Sequence, residues 1–188
     1  AVAESMGYPV VIKLISNDVI HKSDVGGVVL DVIGPDAVRE ACASIRVNVE
    51  QHQPGARIDG FTLEEQVKGT EIIIGMSRDP SFGPILMVGM GGVFVEVYKD
   101  VAFRLVPLDR RDAHDMIGEI RAQPLFDGAR NRPILDRAEL AEICVRISDL
   151  VEACPDIAEL DLNPLVITKG GLVAIDARVI VGGGPAAH

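Results

Sequence analysis

The residues of this chain best placed to do chemistry are an amide and an acid in its last quarter. Asn163 stands in Glu159-Leu160-Asp161-Leu162-Asn163-Pro164-Leu165, and Asp176 follows thirteen positions later in Leu172-Val173-Ala174-Ile175-Asp176-Ala177-Arg178. Each stretch is an apolar run broken by single acids or amides, the pattern of a buried strand. Lys169-Gly170-Gly171 between them is a turn signal, so the two are predicted to form a hairpin. Asn163 and Asp176 then oppose one another and offer two oxygens to one hard cation. Mg²⁺ suits such a pair, because it takes one or two protein oxygens at roughly 2.0–2.1 Å and completes its octahedron with water and nucleotide phosphate. The pattern points to a nucleotide–magnesium domain.

Four other segments carry groups with chemical potential. Lys13 lies inside the apolar run Tyr8–Ile15, where a cation needs a carboxylate or a phosphate beside it. A salt-bridged or snorkelling lysine on an edge strand and a phosphate contact both satisfy that need. His21-Lys22-Ser23-Asp24-Val25-Gly26-Gly27 is a polar, Gly-terminated loop. Such a loop either turns an imidazole, a lysine and main-chain N–H groups toward an anion, or is an ordinary turn. Leu63 to Glu71, with Glu64, Glu65, Val67 and Glu71, joins two strands and is either a connector that reads a base and a ribose or a solvated acidic turn. Gly89-Met90-Gly91-Gly92 lets a phosphate approach main-chain N–H groups closely, or simply links two strands. It is not a Walker A loop, because no Gly-Lys-Ser/Thr ends it. Glu96, Asp100 and Arg104 beyond it either surround the same phosphates or form surface ion pairs.

These groups need rigid elements to hold them. Strand patterns cover Tyr8–Ile15, Val28–Ile33, Ile58–Val67, Glu71–Met76, Pro84–Met90 and Val93–Val97. Gly34-Pro35-Asp36 is a helix start, and Val38, Ala41, Cys42, Ile45 and Val49 recur at helical spacing through Ala37–Val49. Two more helices are predicted near Arg110–Arg121 and Arg137–Ala153. Between them Leu125–Leu135, with Arg130 and Arg132, is expected as a mobile surface segment. Strands and helices mix without strict alternation, which predicts an α+β or mixed-sheet α/β domain rather than a parallel sheet. Two lobes are expected, roughly 1–65 and 66–180, followed by a tail at 181–188 that contains Gly182-Gly183-Gly184-Pro185.

Composition narrows the partners. The chain has 188 residues, of which 48% are hydrophobic, enough for a sizeable core and against disorder. Twenty-eight acids against 18 bases give a net charge of −10, so a polyanionic nucleic acid meets repulsion. No apolar run reaches the roughly 18 residues that cross a bilayer, and the N-terminal residues lack the pattern of a secretory signal. Cys42, Cys144 and Cys154 have no metal-ligand spacing and are expected as buried free thiols of a cytoplasmic protein. His52, His114 and His188 are given no role. The absence of an initiator methionine suggests a piece of a longer chain.

Taken in order, the segments resemble the ATP-grasp domain of NDP-forming (ADP-forming) acyl-CoA synthetases, the beta-subunit type related to succinyl-CoA synthetase. The matching stretches are Pro9–Lys13, His21–Val28, Asp79–Pro84, Gly89–Glu96, Lys99–Arg104 and Glu159–Leu165, spread over nearly the whole chain. The resemblance implies ATP and Mg²⁺ as cofactors. It also implies a CoA-binding partner domain or subunit whose histidine exchanges a phosphoryl group with ATP. By this resemblance Lys13 contacts the phosphates of ATP and the Glu64–Val67 connector holds adenine. Asn163 and Asp176 bind Mg²⁺ by the same resemblance, whereas the charge-stabilising role of Arg104 rests on its residue type and place alone. Asp161 matches the acid that steadies the visiting phosphohistidine, where succinyl-type enzymes carry Glu. His21 matches a histidine that relays the phosphoryl group in some members. The strand and helix that normally begin the ATP-grasp fold are expected to be missing. Two further readings remain open: a nucleotide- or effector-binding regulatory module of a fused acetyltransferase, and a structural domain with a vestigial site.

Overall fold

Val10-Val11-Ile12-Lys13-Leu14-Ile15 is rich in β-branched residues and apolar save for Lys13, the composition of a largely buried strand. The computed structural model describes residues 2–20, 22–92 and 98–182. The chain divides into two compact units, Ala1–Gln66 and Val67–His188. The expected strand at Val93–Val97, the residues of the expected tail beyond Gly182, His21 and the side chain of Arg130 lie outside the described residues.

The first unit begins with a short helix α1 (Val2–Met6). Its sheet has three antiparallel strands in the order β2-β1-β3, where β1 is Val10–Ile15, β2 is Val28–Val32 and β3 is Gly60–Glu65. Helix α2 (Pro35–His52) supplies Ala41, Ile45 and Val49, four residues apart and hence on one stripe. These pack with Val10, Ile12 and Leu14 in a core of their own. The helix starts where the pattern predicts, with Pro35 in the first turn, where its missing N–H leaves no intrahelical bond unmade.

The second unit is built on β4 (Thr70–Asp79), β5 (Gly83–Met90), β6 (Val101–Leu105), β7 (Ile157–Thr168), β8 (Gly171–Ala174) and β9 (Ala177–Val181). The order is β6-β5-β4-β7-β8, with β9 also paired to β7. Every pairing among the described strands is antiparallel. One face of this sheet is covered by α3 (Arg110–Glu119) and α5 (Arg137–Ala153). Asp109 and Asp112 close a capping box at the start of α3, and Asp136 accepts from the N–H groups of Ala138 and Glu139 at the start of α5. Ile72, Ile74, Leu86, Met116, Ile117, Leu140 and Cys144 meet beneath the helices. Each such Leu or Ile contributes about 1.5–3 kcal/mol over its exposed state.

The mixed α/β expectation holds. Within Lys99–Arg104, whose charges suit either phosphate contacts or surface ion pairs, Val101–Arg104 belong to the edge strand β6 (Val101–Leu105). One local expectation is corrected: Leu125–Leu135 is not a surface segment alone. It contains the end of helix α4 (Gln123–Phe126) and a 3-10 turn at Ala129–Asn131, and it anchors Phe126 and Leu135 in the core. Arg137 ties this stretch down by donating to Gln123 and Asp127, both at 2.8 Å. No helix among the described residues is long and apolar enough to cross a membrane.

Candidate functional site

The terminal hairpin is longer than its sequence pattern suggests, and its irregular middle is where the polar groups collect. β7 pairs with β8 through Leu165–Thr168 and with β9 through Ile157–Leu162. Between the two ladders, the N–H of Asn163 donates to the carbonyl of Asp176 at 3.1 Å, and the N–H of Ile175 donates to the carbonyl of Pro164 at 2.9 Å. On the other side of β7 the register with β4 slips between Ile72 and Ile74, so Asn163 and Pro164 together stand opposite Ile73. Pro164 has no N–H to give a ladder, and such a bulge is where a sheet accommodates one. The hairpin therefore places Asn163 and Asp176 across from one another, both exposed. One Asp176 carboxylate oxygen accepts from the N–H of Ala177 at 2.9 Å.

Asp161, two residues before Asn163, points to the same face. Its carboxyl is pushed above its ordinary value, first by burial and also by the negative charges of Asp176 and Glu159. Arg178 and a hydrogen bond from the Asn163 side chain act in the opposite direction. The Asn163 amide beside it has one group able to bind a cation, its carbonyl oxygen.

The donor set fits magnesium. Asn163 and Asp176 present hard oxygens, the ligand type this ion takes. Among the described residues no group of three or more His, Cys, Asp or Glu side chains is arranged to hold a metal. An ion here needs further oxygens, which water and a nucleotide's phosphates supply.

Glu71 is the second cluster in this unit. The N–H of Gly91 donates to its carbonyl at 2.8 Å. A Cβ on Gly91 would stand 2.7 Å from the Cβ of Glu71, so glycine is required there by packing. Gly92 takes the left-handed conformation at φ 61°, with the Glu71 carboxylate close by. The Gly91 N–H, expected to meet phosphate, is thus engaged within the protein.

Arg104 is not brought to Asp161. The registers run Arg104–Leu86–Met76–Leu160 across the sheet, the row that faces the helices. There its guanidinium makes a two-pronged ion pair with Glu119 of α3, at 2.6 and 3.2 Å. Asp100 is 7% exposed and accepts from the N–H groups of Arg121 and Ala122 at 2.8 and 2.9 Å, so it caps a turn and does not face phosphate. Glu96 lies outside the described residues.

In the first unit, Lys13 donates to the carboxylate of Glu64 at 2.6 Å, with the two side chains 13% and 36% exposed. Thr62 donates to the same carboxylate at 3.0 Å. The partner Lys13 requires is therefore an acid of the expected connector. Glu65 ends β3 and is exposed, and Val67 begins the second unit. In the loop after β1, Gly27 donates to the carbonyl of Lys22 at 2.7 Å and Gly26 to that of Ser23 at 3.1 Å, so it closes as a compact turn. His21 itself lies outside the described residues.

Two residues went unremarked at the sequence level. The Gln66 side chain accepts from the backbone N–H of Asp31 at 2.8 Å and donates to the Asp31 carboxylate at 3.2 Å, and Asp31 has φ 55°. Arg178 reaches Glu159 at 3.4 Å. An arginine beside an invoked metal acid was a signal available for the second, and nothing local marked the first. Of the thiols, Cys144 is buried, Cys42 partly so, and Cys154 is exposed, which corrects the expectation that all three are buried.

A profile of the ATP-grasp domain matches residues 1–181. The chain belongs to the ATP-grasp family. This ATP-grasp chain is 42% identical to the beta subunit of ADP-forming acetate–CoA ligase I of Pyrococcus furiosus, over 94% of the chain and 76% of that subunit. It is 46% identical to ADP-forming acetate–CoA ligase I of Archaeoglobus fulgidus over 96% of its own length, and spans 26% of that longer protein. Acetyl-coenzyme A synthetase 1 of Ca. Korarchaeum cryptofilum, solved with coenzyme A and Ca-AMPCP, shares the fold with a TM-score of 0.86 and 41% identity, covering 95% of this chain and 78% of that one. Another structure of that synthetase, described as holding Mg-AMPPCP with its phosphohistidine segment pointing towards the nucleotide binding site, matches with a TM-score of 0.76 and 39% identity, over the same shares.

Proposed function

We propose that this ATP-grasp chain is the nucleotide-binding part of a cytoplasmic ADP-forming acyl-CoA ligase. The full reaction would join an organic acid to CoA with conversion of ATP to ADP and phosphate. This chain's share is to bind Mg·ATP and exchange the γ-phosphoryl group with a histidine on a CoA-binding partner domain or subunit. The observation that carries the reading is the Asn163–Asp176 pairing, 3.1 Å between N–H and carbonyl, with Asp161 on the same face.

Phosphoryl transfer demands positioning and charge neutralisation more than covalent chemistry from the protein. Asn163 and Asp176 would hold Mg²⁺, which would supply positive charge to offset that of a nucleotide's phosphates. Asp161 accepts a hydrogen bond from the incoming imidazole and so holds the ring tautomer whose other nitrogen receives the phosphoryl group. Lys13 of the first unit is assigned to nucleotide phosphate, and the backbone of the Glu64–Val67 connector to the base. The ligands named in the relatives' structures, a nucleotide analogue with a divalent ion and a phosphohistidine segment, support the assignment.

The test is incubation of the full-length protein and its CoA-binding partner with γ-labelled ATP and Mg²⁺. Acid-labile label on histidine is expected. Nucleotide bound without any such label would overturn the enzymatic reading in favour of a regulatory module.

A further inference from the structure

The β-ladders of the second unit arrange one open row of side chains, Phe103–Met87–Gly75–Asp161–Arg178, and beside it a row that includes Ser77, Glu159 and Ile180. Gly75 and Ser77 flank the two acids with little bulk. With Asp176 across from Asn163, three carboxylates thus share this corner. Among the described residues of these two rows, Arg178 is the only cation. It stands directly opposite Asp161 in the ladder and reaches Glu159 at 3.4 Å.

Three carboxylates repel one another and any phosphate brought between them. A guanidinium relieves both, because its planar fork meets carboxylate and phosphate alike and stays charged. The contact to Glu159 is long, and both side chains are about half exposed (42% and 51%), so it is not a locked structural pair.

Accepting the phosphoryl-exchange reading of this hairpin, on which the inference rests, we propose that Arg178 is a positioning residue. It neutralises Glu159 and holds Asp161 in place for the incoming histidine, leaving the magnesium ligands to bind nucleotide. Its effect falls on the transfer step and not on nucleotide affinity.

The test measures histidine labelling by γ-labelled ATP and Mg·ATP affinity in the full-length protein with its partner. Arg178→Leu is expected to slow labelling by roughly 10–100-fold while changing nucleotide affinity by less than about threefold, the signature of a lost transition-state interaction. Arg178→Lys is expected to recover most of the rate, because it restores the charge. In the Arg178→Leu background, Glu159→Gln is expected to recover part of it, because it removes the charge left unbalanced. Equal losses in Arg178→Leu and Arg178→Lys that track a fall in melting temperature would overturn the proposal, leaving Arg178 a structural pin of β9. Wild-type rates in Arg178→Leu would overturn it as well. Failure of the wild type itself to label sinks the phosphoryl-exchange reading, a separate result.

Discussion

The main chains of Asn163 and Asp176 are joined directly: the N–H of one donates to the carbonyl of the other at 3.1 Å, at the break between the β7–β8 and β7–β9 ladders. Because the bond is made by backbone, the spacing of the two residues does not depend on either side chain. Each can therefore be exchanged without dismantling the hairpin, which makes the site open to mutational dissection.

Asp176→Ala is expected to weaken Mg²⁺-dependent nucleotide binding by roughly 100-fold or more, above the ~10–100-fold typical of losing a supporting residue. Its melting temperature should stay close to wild type, since the side chain is exposed. Calorimetric titration with and without EDTA measures the difference. An unchanged magnesium-dependent affinity would remove Asp176 from the ion site.

Lys13→Met leaves the half-buried Glu64 carboxylate without its cation and is expected to lower stability by about 1–2 kcal/mol. Adding Glu64→Gln should restore most of that loss in a urea titration. Nucleotide affinity should remain impaired in the double variant, because the phosphate contact assigned to Lys13 is still missing. Recovery of both together would reduce Lys13 to a structural ion pair.

Arg104 and Glu119 predict a dependence on acid. The hydrogen bond from Arg104 holds the Glu119 carboxyl below its ordinary 4.5. A lowered carboxylate contributes stability that is present above the unfolded value and lost as pH falls through the folded one. Arg104→Leu should therefore flatten the melting-temperature profile below about pH 4.5, and the Glu119 carboxyl should titrate nearer its ordinary value by NMR. Affinity for Mg·ATP should stay within about twofold, a shift under about 0.4 kcal/mol, because Arg104 faces the helices. A large loss of affinity would return Arg104 to the nucleotide.

Burial pushes the Cys144 thiol up to about 12, whereas Cys154 at the end of α5 is exposed. Only the thiolate reacts with alkylating agents, so Cys154 should modify rapidly at pH 8 and Cys144 only on unfolding. The raised value also means stability declines as pH climbs from about 9 toward 12, where the unfolded thiol ionises and the folded one does not. Mass spectrometry of native and denatured protein distinguishes the two sites.

Much was legible from local pattern. The apolar spacing of Ala41, Ile45 and Val49 placed α2, the β-rich apolar run Tyr8–Ile15 placed β1, and Lys169-Gly170-Gly171 placed the turn that brings Asn163 to Asp176. These are short-range features, determined by helix and strand periods and by which residues tolerate a turn. The need of Lys13 for a partner was likewise predictable, because a lysine in an apolar strand must find one.

What the tertiary structure alone decided is which face each polar residue occupies and which distant strand lies beside it. β6 is a five-residue strand, too short for alternation to announce itself, and a one-residue shift in its register would have moved Arg104 to the other face. Pairing with β5 sends it to Glu119 and away from Asp161. In the same way β9 pairs with β7, setting Arg178 against Asp161. Periodicity along a chain states that a strand has two faces; only the packing of helices on one of them states which face remains for chemistry.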